Sequence, residues 1–444
     1  MKKVSIRHCG PIILASAISM VIAVSCTAVS PEKRSTDELA TAVQSLVDSA
    51  IKAAPDTAPI HSAIVNVTSD DLQRDIAIVA GVTRPGTNNP ATINSPFHIA
   101  SITKPMTAVI ILRMAERGAF GPAGIDTTLS SLGILSTDDI NRLHRINGRS
   151  YGHEITLRHL LAHTHGMRDV LIDGPNALAS DEPAAGSLVG TIFANLPDHM
   201  ACLATDNCDT RNLPTGRNWT PFNPSGDDNG ILNFYLSHDY GTNALFPPGT
   251  GFHYSDTGYV LLALVAERVA GAGFAEILQT EIFDPSGMAN SWFFPTAEKR
   301  ALPATTSVME VYAGKLPLMT TGVSLSFDWG GGGVVATAGD LAAFADALIS
   351  GRLLATEQSR DDIFSWTSQS RRGDPLENAY GLGVGYRHSG GFDLIGHSGA
   401  WGGFMSCEPV RKLCVTGTVN QAYANQGALV DAIFNLFAET EKPE

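Results

Sequence analysis

The sequence is poor in positive charge, because its 444 residues include 30 lysines and arginines against 44 aspartates and glutamates. The resulting net charge of −14 argues against a nucleic-acid partner, since phosphate binding needs a basic surface. It also argues against electrostatic docking on anionic lipid. Internal repeats and low-complexity linkers are lacking. The chain is 44% hydrophobic, which is enough to build a sizeable ordered core.

Long apolar runs are also lacking after the first 25 residues, so no later segment is expected to span a membrane. The N-terminal run has the form of an export signal, because three basic residues precede a charge-free stretch from Ile12 to Ser25. Ala-Val-Ser then precedes Cys26, which resembles a bacterial lipobox. We therefore expect a signal peptide at residues 1–25 and a periplasmic or cell-envelope protein. A lipid on Cys26 would be its one membrane anchor, and plain cleavage is the alternative, since Ala stands where Leu is commoner.

Cysteines are few, and the six present divide by position. Two lie in or directly after the predicted signal, and the other four form two close pairs. In an oxidising compartment, these pairs predict two local disulfides, Cys202–Cys208 and Cys407–Cys414. Neither pair has the Cys-x-x-Cys spacing that is typical of a metal site.

The order of predicted elements indicates an α+β fold. A helix with a Ser35/Glu38 capping box opens the domain and a second helix closes it. Strand-like runs follow the first helix and precede the last one, which predicts an antiparallel sheet assembled from both ends of the chain and flanked by terminal helices. The predicted ranges are 35–54 and 428–439 for the helices, and 62–67, 75–82, 392–395 and 414–420 for the strands.

The middle of the chain is organised differently from its ends. Residues 36–440 are expected to form one domain, with a mainly helical subdomain at about 135–300. Inside it, residues 174–249 are rich in Gly, Pro, Asn and Asp and show little periodicity. Loops of this length in a compact domain are usually functional or disordered. We expect this loop-rich insertion to shape the mouth of a pocket.

Ser101 and Lys104 form a Ser-x-x-Lys pair at the start of a helix predicted over 101–117. Three positions apart on a helix, the two side chains share a face. A serine hydroxyl is a poor nucleophile until a neighbour takes its proton, and the dipole of a helix N-terminus favours the developing alkoxide. The pair alone is a weak signal, because a helix-capping serine near a solvated lysine has the same spacing.

Two further segments give the pair a context. They are Tyr254-Ser255-Asp256 and His397-Ser398-Gly399-Ala400. Together with Ser101 and Lys104, they resemble the Ser-x-x-Lys, Tyr-x-Asn and Lys/His-(Thr/Ser)-Gly signature of the serine penicillin-recognising hydrolases. That family includes class C β-lactamases, D-alanyl-D-alanine carboxypeptidases and family VIII esterases. The resemblance implies a β-lactamase/transpeptidase-like fold, and supporting similarity lies at 156–167, 282–288 and 332–348.

The resemblance also implies roles for individual residues. Ser101 would attack a carbonyl and become acylated, while Lys104 and Tyr254 transfer its proton. The backbone N–H groups of Ser101 and Ala400 would form the oxyanion hole, and His397 would bind substrate or assist the proton network. No metal or other cofactor is expected, the substrate would be a small molecule or a peptidoglycan-like compound, and nothing indicates the oligomeric state. The expected substrate contacts are Asp256, Ser398, Gly399 and Trp401.

Two departures from the family pattern shape the expected activity. Asp256 stands where the family usually has Asn, so a carboxylate near Lys104 would raise the pKa of the lysine and weaken it as a base. Asp also lacks the NH2 group that Asn donates. His397 replaces a lysine and is mostly neutral at pH 7. We therefore expect a carboxypeptidase-like or esterase-like hydrolase. The alternatives are a β-lactamase of weak to moderate activity and an inactive penicillin-binding or sensing module.

Other interpretations of the same residues are weaker. Gly396 to Ala400 nearly forms the G-x-S-x-G elbow of an α/β-hydrolase, with Ser398 as nucleophile. That elbow needs a following helix, whereas a glycine-rich, strand-like run follows here. His159, His163 and His165 could suggest a metal cluster, but no HExxH motif or suitably spaced acidic partner accompanies them. Packing and hydrogen bonding beside the active site is the simpler interpretation.

Overall fold

The computed structural model describes residues 34–69, 74–180, 182–205, 208–226, 229–296 and 307–440. The predicted signal peptide at 1–25 and the lipidation candidate Cys26 lie outside these residues. From Arg34 onward the chain forms one compact unit. In the part that the structure describes, no helix combines the length and apolar character needed to cross a bilayer.

The strands assemble mainly into one antiparallel sheet. In chain order, the strands are β1 (Ala63–Ser69), β2 (Arg74–Ala80), β3 (Phe97–His98), β4 (Arg145–Ile146), β5 (Arg149–Ser150), β6 (Trp292–Phe293), β7 (Tyr312–Ala313), β8 (Leu316–Pro317), β9 (Val334–Ala336), β10 (Asn378–Tyr380), β11 (Gly385–Ser389), β12 (Phe392–Ser398), β13 (Gly403–Glu408) and β14 (Leu413–Val419). The main sheet has seven strands in the order β10-β11-β12-β13-β14-β1-β2. A small sheet, β3-β9-β6, lies next to the site described below.

Helices cover both faces of the main sheet and fill the middle of the chain. They are α1 (Thr36–Ala53), α2 (Thr103–Glu116), α3 (Thr137–Leu143), α4 (Leu157–Leu161), α5 (Leu188–Ala194), α6 (Leu196–Leu203), α7 (Ile231–Ser237), α8 (Asp256–Ala270), α9 (Phe274–Leu278), α10 (Asp284–Ser286), α11 (Trp329–Gly332), α12 (Ala338–Ile349), α13 (Glu357–Ile363) and α14 (Gln426–Thr440). The predicted insertion at 174–249 contains the short helices α5, α6 and α7 between its loops.

The alternation of side chains along a strand divides the buried residues into two cores. On β1, Val65 and Val67 face the terminal helices α1 and α14. Ile64 faces the opposite side, where it joins the larger core around α2 and α12. The interior strand β14 is buried along its whole length, as expected for a strand covered on both faces. The site therefore rests on a rigid sheet with packed helices behind it.

The ends of the chain meet as the sequence predicts. The strand β1 pairs antiparallel with β14, so that Val65 lies opposite Gly417. Ser35 caps α1 and accepts a hydrogen bond from the Glu38 N–H at 3.2 Å, and the Glu38 carboxylate accepts one from the Ser35 N–H at 2.8 Å. The predicted α+β fold, with terminal helices on an antiparallel sheet, is confirmed.

Both cysteine pairs are joined in the structure. Cys407 and Cys414 lie directly opposite each other on β13 and β14 and link the two arms of a hairpin. Cys202, in the last turn of α6, is bonded to Cys208. The first disulfide therefore stabilises a strand pairing next to β12, whereas the second one restrains part of the insertion.

Candidate active site

Ser101 lies on a tight turn and not within an α-helix. The segment Ala100–Ile102 is a 3-10 turn, and α2 begins only at Thr103. The turn is anchored by the Ile99 N–H, which donates to the Val334 carbonyl at 3.1 Å. Ala100 has φ 46°, a left-handed conformation that costs a non-glycine residue about 1 kcal/mol or more. The strained residue thus directly precedes Ser101, and the turn that it forms fixes the position of the Ser101 hydroxyl.

Lys104 is fully buried and uses its three N–H groups. It donates to the Ser101 hydroxyl at 3.0 Å, to the Gly331 carbonyl at 3.0 Å and to the Asp256 carboxylate. Burial alone would lower the pKa of Lys104. The interactions with Asp256, Tyr254 and Asp328 together outweigh burial, with Asp256 contributing most among them, so the pKa lies well above its usual value. Lys104 is therefore an ammonium in the resting site, in agreement with the expectation for a carboxylate at position 256.

Tyr254 approaches the same pair from the loop before α8. Its ring centroid lies 5.0 Å from the Lys104 ammonium. Burial raises the pKa of the Tyr254 hydroxyl above its usual value, and its interactions with Lys104 and Ser101 only partly oppose this. The hydroxyl is therefore protonated and can donate a proton to a leaving group.

His163 holds the Tyr254 segment in place on both sides. Its Nδ1 accepts a hydrogen bond from the Ser255 N–H at 3.1 Å, and its carbonyl accepts one from the His253 N–H at 3.0 Å. The imidazole and the Tyr254 ring lie with centroids 4.3 Å apart. His163 has φ 56°, so a strained backbone again adjoins the reacting groups. The sequence predicts packing and hydrogen bonding beside the active site for this histidine, but it does not indicate these partners, which lie 90 or more positions away.

His397 lies near the end of β12 and forms a short hydrogen-bonded chain. The Tyr380 hydroxyl lies 3.0 Å from His397 Nε2, and Nδ1 lies 2.7 Å from the Ser398 carbonyl. Because a carbonyl only accepts, Nδ1 carries the proton and Nε2 accepts from Tyr380. Burial, followed by the charge of Lys104, lowers the pKa of His397 to about 4. The imidazole is therefore neutral near pH 7. No sequence motif indicates Tyr380 as the partner of His397, which lies 17 positions away on a different strand.

The turn after β12 packs against the turn that carries Ser101. A β-carbon on Gly399 would lie 2.3 Å from the Ile99 carbonyl, so only glycine permits this approach. The approach brings the Ala400 backbone close to the Ser101 turn. Ser398 is exposed, whereas the Trp401 ring is buried and packs edge-on against Phe327.

The structure disfavours the rival interpretations of these segments. After Ser398 the chain turns and enters β13, so the strand–turn–helix of an α/β-hydrolase elbow is not formed here. Among the three histidines, His159 completes the capping box of α4 by accepting from the Thr156 N–H at 3.3 Å, and His163 holds the Tyr254 segment. In the described ranges, no group of three His, Cys, Asp or Glu side chains is arranged to hold a metal ion.

Comparisons with known proteins agree with this geometry. The family model described as Beta-lactamase matches residues 47–203 and 223–440. Penicillin-binding protein 4* of Bacillus subtilis (strain 168) is 26% identical over 329 residues, which are 71% of this chain and 58% of that protein. Lovastatin esterase of Penicillium rubens is 26% identical over 266 residues, 57% of this chain and 54% of the esterase. The chain thus spans little more than half the length of each relative.

A solved structure shows the same fold. The D-stereospecific amidohydrolase from Streptomyces sp. superposes with a TM-score of 0.65 at 18% identity, covering 90% of this chain and 99% of that chain. The family match leaves only residues 204–222 uncovered between its two parts, and these lie inside the predicted insertion.

Proposed function

The chain belongs to the β-lactamase family, and on this premise we propose that it is a serine hydrolase that forms an acyl-enzyme on Ser101. One observation carries the proposal: the buried ammonium of Lys104 lies 3.0 Å from the Ser101 hydroxyl. Tyr254 and His397, which are far away in sequence, are brought to the same site. The nucleophile, a proton donor and the positive charge of Lys104 thus lie together, as covalent catalysis requires.

The protonation states indicate a route for the proton. Lys104 and Tyr254 are both protonated at rest, so neither is a free base. When Ser101 Oγ bonds to the carbonyl carbon, its proton passes to the Tyr254 oxygen while Tyr254 gives its own proton to the leaving group. Lys104 stays charged throughout and stabilises the negative charge that develops on both oxygens. Water then attacks the acyl carbon, gives its proton to the same relay and returns Ser101 to its hydroxyl form.

The carbonyl oxygen of the substrate becomes negative in this step. We assign the oxyanion hole to the backbone N–H groups of Ser101 and Ala400, because Gly399 brings the Ala400 turn against the Ser101 turn. Backbone donors of this kind contribute about 3–4 kcal/mol each at the transition state.

The preferred substrate follows from the neutral His397 and the acidic Asp256. A neutral imidazole provides no fixed positive charge for a substrate carboxylate, and Asp256 lacks an amide donor for an acyl-amide carbonyl. We therefore propose esterase-like or D-alanyl-D-alanine carboxypeptidase-like hydrolysis ahead of efficient β-lactam hydrolysis. The relatives named as a penicillin-binding protein and an esterase support these substrate classes.

A substrate panel tests this proposal. Wild type and Ser101→Ala are compared on nitrocefin, a short p-nitrophenyl ester and a peptide ending in D-Ala-D-Ala. We expect turnover of the ester or the peptide to exceed that of nitrocefin and to disappear in Ser101→Ala. Ser398→Ala is the matched control and should keep the ability to form an acyl-enzyme. Turnover that survives in Ser101→Ala would contradict the proposal.

The second candidate is a penicillin-binding module without turnover. Intact-mass measurement after treatment with a fluorophosphonate and with penicillin separates the two. An adduct on Ser101 that disappears with time indicates an enzyme, whereas a permanent penicillin adduct without turnover on the panel indicates a sensor. Absence of any adduct with both reagents would exclude an acyl-enzyme on Ser101.

We also propose that the protein is exported, on the strength of the sequence of residues 1–25 and Cys26. Expression of the full chain and of Cys26→Ser in a Gram-negative host, followed by cell fractionation, tests this. Lipidation predicts that wild type partitions with membranes and that Cys26→Ser does not. Equal recovery of both proteins in the soluble periplasm would indicate plain cleavage, and recovery in the cytoplasm would contradict export.

A further inference from the structure

Asp328 places a second carboxyl group beside the contact between Lys104 and Asp256. It precedes α11, is 7% exposed, and faces the same point as Asp256. A β-carbon on Gly331 would lie 2.5 Å from Asp328 Oδ1, 2.7 Å from Asp256 Oδ1 and 3.3 Å from the Lys104 ammonium. Two carboxyl groups and one ammonium thus converge on one glycine.

The charges in this cluster do not balance if both acids are ionised. Two carboxylates against a single ammonium would leave one negative charge buried without a partner, which is costly. That charge would also oppose the oxyanion that forms on the substrate. In addition, Asp328 Oδ1 is buried without a conventional hydrogen-bond partner among the described residues. A proton between the two carboxyl groups would balance the charge and give this oxygen a partner.

We propose that Asp256 and Asp328 form a carboxyl dyad that holds one proton in the resting enzyme, so that Lys104 faces a single negative charge. Asp328 is then a positioning residue that acts through Asp256 on the Ser101–Lys104 pair. Two carboxyl groups that share a site cannot both ionise easily, and their proton belongs to the pair. Burial, followed by the charge of Asp256, raises the pKa of Asp328 well above its usual value, which agrees with a protonated carboxyl group.

The titratable groups that face the dyad come from several parts of the chain. They are Lys104 on α2, Tyr254 before α8, His397 on β12 and Tyr423 after β14, each of which interacts with the charge of Asp256. Asp169 is a further buried carboxyl whose pKa is raised by burial and by Asp256, so an experiment must distinguish it from the dyad. The inference refines the proposed function, and its test needs no turnover.

Infrared spectroscopy of the folded protein tests the dyad directly. Protein labelled with 13C-aspartate should show a protonated-carboxyl C=O band at pH 7 that shifts with the label. Asp328→Asn and Asp256→Asn should each lose the same band, because the remaining acid ionises against Lys104. Asp169→Asn is the matched control and should retain it. Thermal melts establish that each variant is folded.

Each outcome decides for or against the dyad. Loss of one common band in both dyad variants supports the dyad. If no substrate on the panel is hydrolysed, the hydrolase proposal alone fails and the dyad still stands. If wild type has no protonated-carboxyl band, or if its band disappears only in Asp169→Asn, the dyad is excluded. If one dyad variant does not fold, the other variant and labelled wild type still give this decision.

Discussion

Asp256 accepts a hydrogen bond from Lys104 at a position where the family pattern has an asparagine. An asparagine there could both accept from Lys104 and donate its NH2 group to a substrate carbonyl, whereas an ionised aspartate only accepts. The difference at this one residue affects substrates that carry an amide next to the scissile bond more than simple esters.

We predict that Asp256→Asn raises the turnover of nitrocefin or of a D-Ala-D-Ala peptide relative to a p-nitrophenyl ester. A gained donor that is used in the transition state should change the ratio of kcat/KM values by about tenfold, or ~1.4 kcal/mol. Asp173→Asn, a change at a carboxyl that is bonded to His253 instead, should not change the ratio. An unchanged ratio in Asp256→Asn would show that the missing amide donor does not set the preference.

His163 acts on Tyr254 through hydrogen bonds from the two neighbouring main-chain N–H groups, one accepted by its imidazole and one by its carbonyl, and through a ring contact. We predict that His163→Ala lowers kcat by roughly 10- to 100-fold with little change in KM, since misplacing a catalytic group by about 1 Å can cost this much. His163→Asn should recover most of the activity, because Asn tolerates the left-handed backbone and its side-chain oxygen can accept from Ser255. Equal loss in both variants, measured in steady-state kinetics, would contradict a positioning role.

At the scale of secondary structure, the β13–β14 hairpin connects the active-site strand β12 to the centre of the sheet. Cys407 and Cys414 join its two strands opposite each other. The hydrogen-bonded ladder already holds this register, so the disulfide acts mainly by restricting the unfolded chain.

We expect Cys407→Ser/Cys414→Ser to lose about 2 kcal/mol of unfolding free energy, the low end of the usual range for a disulfide. Urea denaturation at pH 7 measures the loss. The paired comparison is Cys202→Ser/Cys208→Ser, whose disulfide lies outside the main sheet. The two disulfides have similar sequence separations, 6 and 7 residues, so restriction of the unfolded chain predicts a similar loss in both variants. A much larger loss in the hairpin variant alone would contradict that account.

At the scale of the whole molecule, folding buries several histidines as neutral imidazoles. Burial lowers the pKa of His98 to about 3, and it lowers the pKa values of His163 and His165 well below their usual range. A histidine that protonates more easily when unfolded favours the unfolded state in acid. The contribution of these histidines to the free energy of unfolding is therefore fully present above the unfolded pKa of 6.5. It is lost progressively as the pH falls toward the folded pKa.

For His98 alone, this linkage should remove roughly 1.5 kcal/mol between pH 6.5 and pH 5, since each pH unit inside the window is worth up to ~1.4 kcal/mol. We predict that His98→Gln, which does not titrate, shows a correspondingly smaller fall in unfolding free energy over this range. Urea unfolding at the two pH values measures the difference. An equal fall in both proteins would contradict the assignment to His98.

Local sequence patterns predicted much of the architecture and proposed the candidate site residues. The capping box at Ser35 and Glu38 placed the first helix, and the strand-like runs at 62–67 and 414–420 placed β1 and β14. The helix predicted over 101–117 begins only at Thr103, because Ala100–Ile102 forms a 3-10 turn directly after β3, the strand that pairs with β9. Turn conformations that depend on a distant strand cannot be recognised from spacing alone.

By itself, the sequence determined the fold class, the family and the identity of Ser101, Lys104 and Tyr254 as candidates, because periodicity, capping and short motifs are local properties. Only the tertiary structure decided what these groups contact. Lys104 meets the Gly331 carbonyl 227 positions away, and Asp328 and His163 reach the site from other segments. The protonation states of the site depend on such contacts, since burial and neighbouring charges act through space and not along the chain.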